Sequence, residues 1–323
     1  MSNKEIGGYF GLELNEGEEY YPDAIKLNSA RNCFKYILIS QKPKKVYVPY
    51  YIDKSMREDS LMNLGVKFEF YHIDKKFEIA EDLEVRQDEK ILYNNYYSLK
   101  SEYIGKLVAI YGKRLIVDNT RAFFCKPIAG IDTIYSLGSK YFGVPNGVYL
   151  YTDTKMDITF EYDATYDKMR HLLGRIDVSA EAFFNDFQQS KKWRNNQEIR
   201  YMSKLTQAIL KSIDYKRVKL IRERNFYYLH SFLKRYNLLE FDDTNIIGPS
   251  FYPLLIEHES LRQTLIENKI YVPTFWKEIL EMEGPSEWEK YVSKYLLPLP
   301  IDQRYDLEDI KRIVQTINKV LGQ

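Results

Sequence analysis

The sequence has little cysteine, little histidine and almost no net charge. Its two cysteines, Cys33 and Cys125, lie in separate segments of 323 residues. They make neither a disulfide framework nor a spaced ligand pair, and read as buried free thiols in a reducing compartment. The four histidines, His72, His171, His230 and His258, are scattered, so no metal site is expected. Forty-seven basic residues face 46 acidic ones for a formal charge of +1. That balance offers no bulk attraction to nucleic acid or to an anionic membrane. Lys42-Pro43-Lys44-Lys45 reads as a solvated turn. No apolar run approaches the roughly 20 residues that cross a bilayer, and Met1 to Gly8 lacks the apolar core of a signal peptide. A cytoplasmic protein without nucleic-acid or membrane partners is expected.

What is present suits a large core. Hydrophobic residues make up 45% of the chain, enough for one large α/β domain or a large domain plus a smaller one. The 29 tyrosines and 17 phenylalanines are spread along the whole length and read as core and interface material. From about Ile25 to Leu150 short apolar segments alternate with helical ones. Asn28 to Asn32 is a polar cap before a helix from Cys33 to Ile39. Lys45–Pro49, Val66–Tyr71, Lys90–Asn94, Arg114–Asp118, Asp132–Ser136 and Gly147–Tyr151 read as buried strands. Strands separated by helices favour a largely parallel sheet covered on both faces.

After about Asp153 the texture changes. Ala180 to Tyr236 is charged and helical in period, with no clear strand. Ser250–Ile256 then reads as a strand and Asp306–Leu321 as a closing helix with an apolar stripe at Ile310, Ile313, Val314, Ile317 and Val320. Leu296-Leu297-Pro298-Leu299-Pro300 cannot lie inside a helix and marks a turn or edge strand. The expected division is a large α/β domain over 1–180, a helical connection over 181–236 and a small α/β domain over 237–323.

Three features fall at strand ends, where open α/β sheets bind ligands. Asn28-Ser29-Ala30-Arg31 opens a helix, so it is either an ordinary cap or a cradle for phosphate. Asp118 ends an apolar strand, where an acid either starts a turn or holds a pyridine nitrogen in its protonated form. Lys140 lies in Tyr135-Ser136-Leu137-Gly138-Ser139-Lys140-Tyr141-Phe142-Gly143. Aromatic and apolar neighbours can desolvate its amine and make it usable. Each alone is outnumbered by its structural counterpart. Their order, a phosphate-type helix start, a strand-end Asp and a lysine about twenty residues later, is the layout of fold-type I pyridoxal-phosphate enzymes.

The ordered set resembles the DegT/DnrJ/StrS family of nucleotide-sugar aminotransferases. Leu27 to Asn32 is similar to its Ser-Gly-Thr phosphate segment, and Val48-Pro49-Tyr50-Tyr51 to its proline-led loop. Ile116 to Phe123 resembles its Asp-centred segment, Tyr135 to Gly147 its lysine loop, and Arg200-Tyr201-Met202-Ser203 its mid-chain helix start. Leu297-Pro298-Leu299-Pro300 with the last helix resembles its C-terminal signature. The likeness runs through nearly the whole chain. Four positions depart from it. Arg121 stands where the family has Gln, and Arg31 replaces the threonine of the phosphate segment. Ser136 is one residue closer to the lysine than usual. Ile199 occupies the approximate place of the Asn that crosses between subunits.

The resemblance implies pyridoxal 5'-phosphate as cofactor, bound to Lys140, with Asp118 on the ring nitrogen. Ser29, Ala30 and Ser136 would hold the phosphate, with Arg31 as a helper. Tyr50, Tyr51, Asn94 and Asn95 lie on loops expected near the ring or the substrate, and Arg121 beside the ring. It also implies a fold-type I sheet with a small C-terminal α/β domain, and a homodimer with the site at the interface. The reaction implied is amino transfer, usually from glutamate, to a keto sugar carried on a nucleotide, for surface polysaccharide or glycan synthesis. The departures leave open a smaller amino or keto acid as substrate, or a non-catalytic relative.

Overall fold

Apolar β-formers dominate the first half of the chain, and there they pair. The computed structural model describes residues 6–138, 140–195 and 197–322. Met1 to Glu5, read above for a leader, and Ser139 of the lysine loop lie outside the described residues. In chain order the elements of the first half are β1 (Ile25–Leu27), α1 (Ala30–Gln41), β2 (Lys45–Pro49), α2 (Ser60–Asn63), β3 (Lys67–Tyr71), β4 (Glu89–Asn94), α3 (Ser101–Tyr111), β5 (Leu115–Asp118), β6 (Asp132–Ser136) and β7 (Val148–Tyr151). They form one seven-stranded sheet in the order β1-β7-β6-β5-β4-β2-β3. Strands β2 to β6 are parallel; β7 runs against β6, and β1 against β7. Strand β1 therefore points the same way as the parallel set.

Successive side chains on a strand face opposite ways, so each central strand feeds two cores. Val46, Val48, Leu92, Ile116 and Ile134 pack under α1 with Cys33, Phe34, Ile37 and Leu38. Tyr47, Ile91, Tyr93, Leu115 and Val117 face the other way, against Ile104 and Leu107 of α3 and residues of the C-terminal part such as Leu255 and Trp276. One strand departs from expectation. In Val66–Tyr71, read as buried, only Tyr71 is buried, while Lys67 and Glu69 are exposed. The reason is position: β3 pairs only with β2, and charged residues protect such an edge.

The second half is built from α4 (Arg170–Asp177), α5 (Phe184–Asn195), α6 (Lys204–Lys211), α7 (Tyr215–Leu233), β8 (Tyr252–Leu255), α8 (Leu261–Glu267), α9 (Glu287–Tyr295), β9 (Leu296–Leu299) and α10 (Leu307–Val320). The proline-containing Leu296–Leu299 segment is a strand, paired antiparallel to β8. Asp306 caps α10 in a reciprocal capping box with Asp309. The buried stripe Ile310, Ile313, Val314 and Ile317 joins Phe226, Leu229 and Leu233 of α7 around the two-stranded sheet. Between these parts, Tyr201 bridges both Leu27 of β1 and Tyr162. Among the described residues, no helix is long and apolar enough to cross a membrane, and no group of three or more His, Cys, Asp or Glu could hold a metal ion.

Candidate active site

The strand directions bring distant loops to one edge. Pro49, Asn94, Asp118 and Ser136 end parallel strands, and Leu27 ends β1 in the same sense. The loops that follow therefore share the carboxyl edge of the sheet. These are the Ser29 helix start, Tyr50–Asp53, Asn95, Asn119–Arg121 and the loop bearing Lys140. A separate cleft of about 600 Å³, lined by Lys42, Glu89, Lys113 and Arg114 among others, lies near the strand starts and touches none of these residues.

Helix α1 begins where the sequence suggests. Ser29 is its N-cap: its backbone is extended and its hydroxyl accepts the Asn32 N–H at 3.2 Å. The first turn is tied to the middle of the chain. Asn32 Nδ2 donates to Asn28 Oδ1 at 2.9 Å and to the Glu198 carbonyl at 2.7 Å, and Asn28 Nδ2 donates to the same carbonyl at 2.8 Å. Arg31 reaches in the same direction, donating to the Arg194 carbonyl at 3.2 Å.

Asp118 is 2% exposed. Its Oδ1 accepts the Thr120 N–H at 2.8 Å, which turns the chain after β5. Burial raises its pKa from the ordinary carboxylate range, while Lys140, Thr120 and Arg121 pull it back. Lys140 shows the complementary shift. Desolvation and then the Arg121 guanidinium push it down to about 8, against the opposing pull of Asp118 and Asp53. Among the described residues its amine has no hydrogen-bond or ion-pair partner. A half-buried amine next to a buried acid, close to neutrality, can act as a nucleophile or move a proton.

Arg121 sits within this electrostatic group. Its guanidinium carbon lies 3.8 Å from the centre of the Phe275 ring, 5.5 Å from Trp276 and 5.7 Å from Phe251. Burial lowers its pKa, opposed by Tyr97, Asp53, Asp118 and Tyr51. Ser136 ends β6, half-buried at the mouth of the lysine loop. The remaining expected residues hold contacts within the protein. Tyr51 is fully buried, its hydroxyl 3.0 Å from that of Tyr97. Asn95, also buried, donates from Nδ2 to Asn119 Oδ1 at 3.0 Å and accepts the Lys100 N–H at 3.1 Å. Tyr50 stacks on Phe70 and His72, and Asn94 lies in register with Asp118.

Two residues that sequence reading passed over position the lysine loop. Arg222 of α7, 1% exposed, donates from Nη2 to the Tyr141 carbonyl at 3.2 Å and from Nη1 to the carbonyls of Pro249 and Ser250. Gln303 Nε2 donates to the same Tyr141 carbonyl at 2.7 Å. Arg194 approaches from α5: a Cβ on Gly138 would lie 3.4 Å from its Nη1. Nothing local marks these three: Arg194 and Arg222 are polar residues of charged helices, and Gln303 lies in the turn before α10.

The donor set fits pyridoxal phosphate. A capped helix start and a strand-end serine suit the phosphate, a buried carboxylate suits the ring nitrogen, and a desolvated amine stands at the lysine position.

No family model matches the chain, and no curated protein matches it in sequence. Solved structures match it in fold. A DegT DnrJ EryC1 StrS aminotransferase from Brucella abortus aligns over 93% of this chain and 86% of its own, with a TM-score of 0.65 at 15% identity. NtdA from Bacillus subtilis, solved with the cofactor PMP, aligns over 93% and 73% with a TM-score of 0.64 at 14% identity. DesI, solved in the presence of its TDP-sugar product, aligns over 91% and 79% with a TM-score of 0.63 at 14% identity. The chain has the fold-type I aminotransferase architecture that these structures share.

Proposed function

We propose that the protein is a pyridoxal-phosphate-dependent aminotransferase that moves an amino group from an amino acid, glutamate in the first instance, to a keto sugar carried on a nucleotide. The observation that carries the reading is that Lys140, desolvated and lowered to about 8, and buried Asp118 lie on loops at the same carboxyl edge of this sheet, each within electrostatic reach of the other. Solved structures of the same fold, one an aminotransferase, one holding the cofactor PMP and one solved with its TDP-sugar product, support it.

In this reading the Ser29 hydroxyl, the first N–H groups of α1 at Ala30 and Arg31, and Ser136 bind the phosphate. Asp118 keeps the ring nitrogen protonated. When bound, the cofactor supplies an electron sink next to the substrate carbon. Lys140 Nζ takes the proton from that carbon and returns it after transfer, a role suited to an amine near neutrality. The proposed domains span 1–180, 181–236 and 237–323. A cytoplasmic homodimer with the site at its interface, serving surface polysaccharide or glycan synthesis, completes the proposal.

Arg121 favours a second reading of the same class, transfer between smaller amino and keto acids, because a guanidinium near the cofactor suits a carboxylate. Protein incubated with pyridoxal phosphate is expected to be yellow, and Lys140→Ala to lose the visible band. Wild type that takes up no cofactor would overturn the proposal. Half-reactions screened against nucleotide keto sugars and a panel of keto acids separate the two readings.

A further inference from the structure

Arg121 is placed in an unusual way for a cation. Its guanidinium lies on the Phe275 ring at 3.8 Å, with Trp276 and Phe251 further out. Aromatic contact occupies a face of the group and forms no hydrogen bond with its N–H edges. Among the described residues no hydrogen bond or ion pair engages the side chain. Its backbone is fixed to the lysine loop: Tyr141, next to Lys140, donates its hydroxyl to the Arg121 carbonyl at 2.8 Å, and Ser98 donates to the same oxygen at 2.7 Å. Three residues around it, Tyr97, Ser98 and Trp276, hold left-handed backbone at φ 61°, 64° and 49°. Such conformations persist where the surrounding structure enforces them, and they cluster at ligand clamps.

We infer that Arg121 determines the amino donor: its guanidinium, held on Phe275 and tied through its carbonyl to Tyr141 of the lysine loop, receives the donor's α-carboxylate. The inference rests on the proposed aminotransferase reading. The α-carboxylate is attached to the carbon whose proton Lys140 takes, so the cation that binds it must lie beside that lysine. A planar fork with unspent donors matches a carboxylate in two-point contact, and a dry aromatic floor strengthens the pair.

The test compares wild type, Arg121→Gln and Arg121→Lys, each loaded with pyridoxal phosphate. Donors are glutamate and 4-aminobutyrate, which keeps the amine and distal carboxylate but has no α-carboxylate. For Arg121→Gln the half-reaction kcat/KM with glutamate is expected to fall on the order of 10- to 100-fold, the effect of a charge-assisted hydrogen-bond pair. The value with 4-aminobutyrate is expected to fall several-fold less, by the change in Lys140 that both donors share, and Arg121→Lys to fall between. Calorimetric binding of 2-methylglutamate, which cannot lose an α-proton, is expected to weaken in parallel while cofactor affinity holds. Equal losses with both donors would assign Arg121 a structural role and overturn the inference. Loss of cofactor affinity in Arg121→Gln would assign it to the cofactor and also overturn it. A wild type that takes up no cofactor would remove the underlying reading, a result distinct from either.

Discussion

Arg222 donates to the carbonyl of Tyr141, the residue after Lys140, and its guanidinium carbon lies 4.5 Å from the Tyr141 ring. One buried side chain on α7 thus joins the lysine loop to the Pro249 and Ser250 carbonyls. Replacing Arg222 with Leu would leave the Pro249 and Ser250 carbonyls buried without this donor, while Gln303 still reaches the Tyr141 carbonyl. A loss of about 3 kcal/mol is expected in urea unfolding. Gln303→Ala removes one neutral donor from the same carbonyl and the acceptor of Arg222 Nε, and is expected to cost about 1.5 kcal/mol. Equal costs for the two would contradict the assignment of Arg222 as the hub.

The pH dependence of Lys140 has a definite sign. Its amine is lowered to about 8, so it should react as a free amine at lower pH than an ordinary lysine. Labelling of the apoprotein by an amine reagent, read by mass spectrometry, is expected to rise through about pH 8. Arg121 holds the pKa down and Asp118 holds it up. Arg121→Gln should therefore move the curve to higher pH, and Asp118→Asn to lower pH. The same shift links to stability. Between about pH 8 and the ordinary lysine range the unfolded chain binds a proton that the folded chain has released. This group's contribution to stability thus grows as pH rises across that window.

Gly147 closes the lysine loop at φ +113°, a conformation that side chains rarely adopt. A Cβ there would also lie 3.0 Å from Thr206 Cγ2 and 3.2 Å from Met202 Cε. Gly147→Ala is expected to destabilise the fold by about 2 kcal/mol. Gly105→Ala, on open helix surface, should be neutral or slightly stabilising. Thermal unfolding of the two variants side by side checks the contrast.

Asn32 holds the first turn of α1 against the Glu198 carbonyl. Asn32→Ala removes the donor to Asn28 Oδ1 and to the Gln197 and Glu198 carbonyls, of which the last keeps its bond from Asn28, and is expected to cost about 2 kcal/mol. Cofactor affinity, measured by fluorescence quenching, should fall with it if the Ser29 end of that helix binds phosphate. Unchanged affinity in a folded variant would remove this helix start from the phosphate site.

The sheet was legible because its strands are short runs of β-formers closed by Pro49, Asn94, Asp118 or Ser136. Those same endings made Asp118 and the Lys140 loop visible as candidates. The Ser29 cap was legible for a similar local reason, a small hydroxyl before an apolar helix. The edge exposure of β3 was not, since burial depends on which strands pair and pairing is not local. Tyr51 illustrates the same limit. Its hydroxyl meets Tyr97, 46 residues away, a contact that its place on a loop does not reveal. Arg222 and Gln303 reach Tyr141 across 81 and 162 residues. No pattern of period 2 or 3.6 encodes such a reach.

The antiparallel insertion of β7 between β6 and β1 has a kinetic consequence. Ser29 follows β1 and Lys140 precedes β7, and the two segments become neighbours only when Leu27 pairs with Val148. That contact closes a loop of more than a hundred residues, and Tyr201 must then bridge to Leu27 to seal it. Long closures come late because their entropy is lost before their contacts are gained. A chain emerging from the ribosome can assemble β2, β4 and β5 well before this edge is complete. The ligand cradle is thus among the last parts to form, and an early-terminated chain would hold most of a sheet and no site.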